Sequence, residues 1–434
     1  MIKDFEGKVV VITGGASGIG RGLAFGFAKR GMKIVLADID KKNLDKVAKE
    51  LEEIGAEVMT QITDVSDPEQ VARLADASYE RFGSVNILCN NAGVGGGGPL
   101  RLLTNENWNW TLGVNLFGVI YGIRYFLDRM IKSRVPCHIV NISSISGIIT
   151  GAYTQPYPAS KFAVVAISES LALECFLQRT KVGVSVVCPG NVNTNIGKNT
   201  YTLSQKRPGL WRPPAINKQS EPVRENAEKR PALWMDPEEM AEIVIKAIKK
   251  NILYVLTHPE YIPLIKSRFE HIYEDTLELH ERIEEKPVTE SKTFKNETPA
   301  FSFTYPADLI DFKTNPSNRS FPIFVASKVP GFNIQVLVAR SSSQRIDKAA
   351  HKMAKNIKRR SSEVNIISNE PISLNDGTPA YECLIDYKLA GIIKKRSIHL
   401  STFKDNHRIQ VSIVALANYY DEELRDILHS LKFN

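Results

Sequence analysis

Val10-Val11-Ile12-Thr13-Gly14-Gly15-Ala16-Ser17-Gly18-Ile19-Gly20 opens as an apolar, β-branched run and closes as a glycine-rich turn. The run reads as a buried strand, and Arg21 to Arg30 beyond the turn reads as a helix. Gly14, Gly18 and Gly20 let the backbone turn tightly and come close to a pyrophosphate. The helix start around Ser17, Gly18 and Ile19 then offers free N–H groups and the positive end of a dipole to that anion. The spacing is T-G-x-x-x-G-x-G, a variant of the commoner G-x-G-x-x-G. The stretch predicts the first strand, turn and helix of a dinucleotide-binding fold.

The alternation continues outward from there. Lys33-Ile34-Val35-Leu36-Ala37 is a second apolar strand with Asp38 at its end. An acid about 20 residues past the glycines can accept hydrogen bonds from ribose hydroxyls. It would also repel a 2′-phosphate, and no Arg or Lys stands just before Gly18 or at position 39 to offset that. Asp38 therefore favours NAD over NADP; its other reading is a cap for the helix at 41–54. That helix carries Leu44, Val47, Leu51 and Ile54 on one face. Residues 57–62 read as a third strand, followed by Asp64-Val65, and Pro68–Phe82 as the next helix. A fourth strand, Val85–Cys89, leads into Asn90-Asn91-Ala92-Gly93, where small residues let the backbone lie against a cofactor and its amides bond it. Strand and helix alternating in this way make a parallel, doubly wound Rossmann-type α/β sheet.

Composition sets the bounds. The 434 residues suit two domains, and 43% hydrophobic with 24% charged content is ordinary for a globular chain. No apolar run approaches the roughly 20 residues that span a bilayer, and Met1–Glu6 lacks an apolar signal core. Cys89, Cys137, Cys175, Cys188 and Cys383 are scattered, without metal spacing, and read as reduced, buried thiols of a cytoplasmic protein. Most of the net charge of +8 lies in the last third, a mildly basic surface that is not in itself a nucleic-acid signal.

Together the glycine turn, the acid at 38, Asp64-Val65 and N-N-A-G resemble the short-chain dehydrogenase/reductase family. The likeness covers roughly residues 5–275. Asn115, in Gly113–Gly118, matches the family's helix asparagine, which supports a water in a proton relay. His138–Ser144 is a strand ending in a serine pair, Tyr157-Pro158-Ala159-Ser160-Lys161 supplies Y-x-x-x-K, and Pro189-Gly190-Asn191-Val192-Asn193-Thr194 matches the P-G-x-V-x-T segment that closes over the nicotinamide. The resemblance implies an NAD-dependent oxidoreductase interconverting a secondary alcohol and a ketone, assembled as a dimer or tetramer.

The chemistry of the pair follows from its residue types. A secondary alcohol must lose a proton as hydride leaves its carbon. Free tyrosine, with a pKa of about 10, is too weakly acidic to serve as a base near neutrality, and a neighbouring ammonium favours the phenolate. Tyr157 and Lys161 are four apart and share a helix face. Lys161 is expected to bias Tyr157 and reach the ribose hydroxyls, and Ser144 to position the substrate oxygen. Tyr153 has no lysine four residues on. Ser143 and Ser144 face opposite ways on a strand, and the family's separation to the tyrosine selects Ser144. Pro158 fits a first helical turn.

Gly95–Gly98 reads as a flexible loop at the site's mouth, and Asn195–Trp234, with Trp211 and Trp234, as a lid suited to a bulky, lipid-derived or polycyclic substrate. A surface insertion or an oligomer contact is the other reading of that segment. Asp236 is placed to cap a helix, Leu253–Thr257 is the last strand, and Tyr261–Ile283 an amphipathic helix. The catalytic domain is expected to span 1–283 and Glu284–Glu297 to be a linker.

Residues 298–434 read as an appended α+β sandwich. Strands are expected at 301–306, 321–329, 334–339, 363–368, 379–387, 393–403 and 408–415, with helices at 344–357 and 421–431 and hairpin turns at 375–377 and 404–407. Phe301-Ser302-Phe303-Thr304-Tyr305-Pro306 and the closing residues resemble the PsbP-like domains. His351, His399 and His407 lack metal spacing, and the basic runs at 355–360 and 394–396 read first as solvated charge, secondarily as a surface for an acidic partner or membrane. No catalytic constellation is read in this part, and a module that binds a partner or membrane, leaving the chemistry to the first domain, is an alternative reading of it. A cofactor-binding sensor without turnover is the remaining alternative, and the complete Ser144, Tyr157 and Lys161 set argues against it.

Overall fold

The computed structural model describes residues 2–212 and 234–281, and beyond them 291–297, 300–306, 310–313, 324–327, 333–340, 357, 362–374, 377–389, 393–404, 407–416, 430 and 432–433. The chain divides into two compact units, Met1–Leu277 and Glu278–Asn434.

In the first unit, β1 (Val9–Thr13), β2 (Lys33–Asp38), β3 (Val58–Ile62), β4 (Ile87–Asn90), β5 (Cys137–Ile142), β6 (Val182–Cys188) and β7 (Tyr254–Leu256) form one sheet in the order β3-β2-β1-β4-β5-β6-β7. Every pairing is parallel. Strands of such a sheet are covered on both faces, and β1, β4 and β5 are buried along their whole length. The order reverses beside β1, and ligands of open α/β sheets bind at such a point, beyond the strand C-termini.

The helices are α1 (Gly18–Ala28), α2 (Lys41–Glu53), α3 (Pro68–Phe82), α4 (Asn105–Leu112), α5 (Gly118–Ser133), α6 (Tyr157–Leu177), α7 (Ile196–Ser204), α8 (Pro237–Lys250) and α9 (Ile262–Glu281). Between α4 and α5 the turn widens to a π-helix over Gly113–Phe117. Asp40, not Asp38, caps α2 by accepting from the Asn43 N–H. Asp236 stands at the start of α8 but makes no capping hydrogen bond; Pro237 occupies the first turn. Pro158 sits in the first turn of α6, as expected. Among the described residues no helix is long and apolar enough to cross a membrane. All five cysteines are buried and unpaired.

The second unit is antiparallel. β8 (Ser291–Glu297) and β9 (Ala300–Pro306) form a hairpin, joined by β17 (Lys432–Phe433). Half of the stretch expected as linker is thus a strand. Its alternating Lys292, Thr293, Phe294 and Lys295 look solvated in the sequence, and backbone pairing with β9 fixes them as a sheet edge. A second sheet orders its strands β10 (Ile310–Lys313), β11 (Phe324–Ser327), β12 (Asn333–Arg340), β16 (His407–Leu416), β15 (Ile393–Lys404), β14 (Pro379–Leu389) and β13 (Ser362–Ser373). The short β10 and β17 are not foreseen in the sequence. The expected helices at 344–356 and 421–429, the residues 375–376 and 405–406 of the turns, and residues 284–290 lie outside the described residues.

Candidate active site

The C-terminal ends of the strands open on a cleft of about 1120 Å³. Its floor is the glycine turn. Gly14 and Gly18 have φ of 65° and 52°, a region that side-chain-bearing residues avoid. Gly20 does not line the cleft: a Cβ there would collide with the Gly14 carbonyl, so this glycine acts by letting α1 pack onto the turn. Gly18 lies against Thr194, whose Cγ2 would stand 3.0 Å from an added Cβ. Ser17, Gly18 and Ile19 line the cleft at the N-terminus of α1.

Asp38 ends β2 in the cleft wall. One carboxylate oxygen accepts from the Ala16 N–H at 3.0 Å and the other from Asp40 N–H at 3.0 Å, so the acid braces the glycine turn. Burial raises its pKa, and these backbone bonds oppose the rise. Lys41, the cation beside it in the wall, is bound to Asp45 at 2.6 Å. Asp64 and Val65 line the next part of the wall. Asp64 accepts from the Ser66 hydroxyl at 2.6 Å and stands 3.9 Å from Arg207.

Asn91, Ala92 and Gly93 line the cleft, but the first two amides are not free as expected. Asn91 N–H and Ala92 N–H both donate to Thr13 Oγ1, at 3.0 and 3.1 Å. Asn91 Nδ2 donates to the Thr13 carbonyl at 2.8 Å, locking this turn to β1. Asn115 is fully buried within the π-turn and does not line the cleft. Its Oδ1 accepts from Val94 N–H at 2.8 Å, and its Nδ2 donates to the Val94 carbonyl at 2.9 Å and to Ser160 Oγ at 3.2 Å. π-turns concentrate at functional sites.

Ser144, Tyr157 and Lys161 meet in the cleft wall. The two serines divide: Ser143 Oγ donates to the Lys161 carbonyl at 2.8 Å, and Ser144 stands beside Tyr157 in the cleft wall, its Oγ accepting from Ser146 N–H at 3.1 Å. Burial pushes the Tyr157 phenol above its ordinary value, and Ser144 beside it opposes the rise. The expected lowering by Lys161 is not seen. The Lys161 ammonium lies 5.6 Å from the Tyr157 ring centroid and donates to the Ile142 carbonyl at 2.9 Å. Burial lowers the Lys161 pKa to about 8. Tyr153 is three-quarters exposed and takes no part in the wall.

Pro189, Gly190, Val192 and Thr194 form the opposite wall. The lid then begins with α7. Asn199 donates to Ser17 Oγ at 3.4 Å, and Thr200 Oγ1 accepts from Gly95 N–H at 2.8 Å. Ile196, Leu203, Arg207 and Trp234 line the cleft, with Trp110 and Val114 from the α4 side. Trp211 does not: its ring rests on Gly98, and its backbone exchanges two bonds with the Asn107 side chain, at 2.9 and 3.1 Å. The end of the glycine run is therefore filled, not loose. Added Cβ atoms would collide with the Tyr153 carbonyl at Gly97 and with the Trp211 ring at Gly98, and would make ordinary contact at 3.4 Å with Thr200 at Gly95 and Thr111 at Gly96. Residues 213–233 of the expected lid lie outside the described residues.

A glycine turn on a helix N-terminus, an acid at the end of the second strand and a Ser-Tyr-Lys set around one cleft define a dinucleotide-dependent oxidoreductase. The family model for short chain dehydrogenase matches residues 8–204. The chain is 34% identical over 280 residues to a CLA biosynthesis dehydrogenase/reductase of Lactiplantibacillus plantarum, covering 63% of this chain and 96% of that protein. It is 35% identical over 272 residues to a C alpha-dehydrogenase of Sphingobium sp., covering 62% and 87%. The crystal structure of a short chain dehydrogenase/reductase from Burkholderia phymatum in complex with NAD superposes with a TM-score of 0.57 at 38% identity, covering 63% and 97%. The chain belongs to the short-chain dehydrogenase/reductase family and is an NAD(P)-dependent oxidoreductase.

Proposed function

We propose that the protein interconverts a secondary alcohol and a ketone with NAD as its cofactor. The observation that carries this is the meeting of Ser144, Tyr157 and Lys161 in the cleft that also holds the glycine turn and Asp38. The cleft exceeds the roughly 300–1,000 Å³ of common small-ligand sites, which leaves room for an extended dinucleotide and a second molecule. When bound, the nicotinamide supplies or accepts the hydride. The α1 N-terminus, with Ser17, Gly18 and Ile19, would hold the diphosphate. Asp38 would hold the adenosine ribose and oppose a 2′-phosphate, and the Lys41 ammonium beside it is shared with Asp45. The NAD-bound Burkholderia relative supports the same preference.

Ser144 Oγ orients the substrate oxygen beside Tyr157. With its pKa raised, the phenol is protonated at neutral pH, the state that donates to a carbonyl oxygen. As the ketone's C=O becomes C–OH, the Tyr157 hydroxyl gives up its proton; in the oxidative direction the phenolate takes it back. Oxidation requires Lys161 to turn from the Ile142 carbonyl toward the phenolate and the ribose, which would supply the electrostatic bias expected from its spacing. Asn115 carries the relay toward solvent by shaping the π-turn. Trp110, Val114, Ile196, Leu203 and Trp234 give the remaining cleft an apolar wall, which supports a bulky apolar substrate.

The test is NADH formation or consumption by the purified chain with secondary alcohols and ketones graded from small to polycyclic and acyl-bearing, with Tyr157→Phe as the blank. Turnover that survives in Tyr157→Phe would sink the assignment. Turnover with NADP alone would overturn the reading of Asp38.

A further inference from the structure

Beyond a single bridge from Val192 to Met235, the Pro189–Thr194 wall is irregular chain, and its sequence names no support. Further support comes from the exit of β7, the strand paired with β6 at the edge of the sheet. β7 ends at Leu256, and the chain turns directly beneath the segment. His258, 5% exposed, lies against two consecutive residues of the wall. Its Nδ1 accepts from Gly190 N–H at 3.0 Å, and its Nε2 stands 3.0 Å from the Asn191 carbonyl. A nitrogen facing an N–H must be bare, and one facing a carbonyl must carry the proton. These partners assign a neutral imidazole with its proton on Nε2. Thr257 Oγ1, 2.7 Å from Nδ1, adds a second donor to the same bare nitrogen.

The ring is itself held. Tyr261 packs edge-on, with centroids 6.3 Å apart at 65°. Gly190 rests on both rings: an added Cβ would lie 2.7 Å from Tyr261 Cε2 and 2.8 Å from His258 Cγ. On its other side the wall pairs with the returning lid. Met235 N–H donates to the Asn191 carbonyl at 3.0 Å, and Asn193 N–H to the Met235 carbonyl at 2.9 Å. Three passages of chain thus meet at the Asn191 carbonyl: the exit of β6, the end of the lid through Met235 N–H, and the exit of β7 through His258. His258 does not line the cleft.

We propose that His258 is a positioning residue for cofactor binding. By bonding Gly190 and Asn191 it sets the backbone that turns Val192 and Thr194 toward the cofactor. Thr194 in turn lies against Gly18, so the same bonds fix the gap between wall and glycine turn. The proposal rests on the reading of 189–194 as the nicotinamide wall.

The experiment uses the full chain and measures NADH and NADPH affinity by fluorescence, KM for cofactor and for the alcohol or ketone, kcat, and thermal melting. His258→Phe keeps the ring and loses both bonds. It should weaken binding of the preferred cofactor at least tenfold, as expected when a buried N–H loses its partner. The substrate KM at saturating cofactor should stay within about threefold. His258→Asn offers Oδ1 at the place of Nδ1 and should recover most of the loss. Gly190→Ala should reproduce the loss with His258 intact, by pressing the wall off the two rings. A folded His258→Phe that binds cofactor within twofold of the parent overturns the proposal. Should His258→Phe fail to fold, parental affinity in Gly190→Ala overturns it, as does an equal loss in His258→Asn. A parent chain that binds neither cofactor overturns the underlying reading, and that is seen before any variant is made.

Discussion

One chain builds two seven-stranded sheets and places polar groups in them in different ways. In the parallel sheet the strands point the same way, so the residues that end them gather on one edge. Asp38 at the end of β2, Asn91 after β4, Ser144 after β5 and Pro189 after β6 reach one cleft from four strands. In the antiparallel sheet of the second unit successive strand ends alternate between edges, and the buried polar groups lie mid-strand. His399 on β15 bonds Ser412 of β16 through Nδ1 at 2.8 Å and Ser397 through Nε2 at 2.9 Å. Burial holds its pKa down at about 4. Both sheets consume mid-strand polar groups internally, as His138 with Ser185 in the parallel one, but only the parallel arrangement also gathers strand-end polar atoms facing open space, where they can act on a ligand.

The strongest way to break this contrast is at the cleft. Tyr157→Phe should lower turnover by about 10³-fold, within the 10²–10⁴ range of a lost general acid–base group, while NADH affinity stays within about twofold. A loss below tenfold would put the proton elsewhere. Next in size, Asp38→Asn should shift the ratio of kcat/KM for NAD over NADP by about 10–100-fold toward NADP. It removes a charge that repels a phosphate and weakens charge-assisted bonds of about 1.5–3 kcal/mol each. An unchanged ratio would mean that Asp38 only braces Ala16.

The second unit gives the opposite prediction. His399→Leu leaves the Ser397 and Ser412 hydroxyls without their histidine partner and should destabilise that unit by about 2 kcal/mol, with turnover within twofold of the parent. The parent's own stability should fall with acid. His399 titrates near 4 when folded and 6.5 when free, so the unfolded chain binds the extra proton between those values. His399→Leu should lose that part of the pH dependence. A collapse of activity in this variant would show that the two units are not chemically separate.

A stability effect of the opposite sign concerns Lys161. Its pKa is lowered to about 8 from 10.5, so over that window the unfolded chain holds a proton that the folded site has released. The residue costs stability below pH 8 and the cost fades as pH rises toward 10.5. Without cofactor, Lys161→Met should therefore gain stability relative to the parent near neutral pH, and the gain should shrink by at most about 1.4 kcal/mol per pH unit through that window. Parallel pH profiles of the two melts would contradict the lowered value.

The same contrast marks what the sequence discloses. Buried parallel strands are β-branched runs, so β1 and β2 can be read directly, and the glycine turn, Asp38 and the Ser144, Tyr157 and Lys161 set fall where their motifs put them. What stays hidden depends on partners far away in sequence. Thr13 takes the Asn91 and Ala92 amides from 78 and 79 residues away, and His258 reaches Gly190 across 68. The capping of α2 passes from Asp38 to Asp40 because Asp38 is turned onto Ala16. β8 escapes because an edge strand can be as polar as a linker.

Gly95–Gly98 has a practical consequence for anyone wishing to change what the enzyme accepts. It looks like the most permissive place to introduce diversity, yet at Gly97 and Gly98 the missing side chain is an imprint of something already there. Enlarging these two positions would prop the roof off its seat before it altered the choice of guest. Variation at Ile196, Leu203 and Trp234, which face empty volume, is where reshaping should begin.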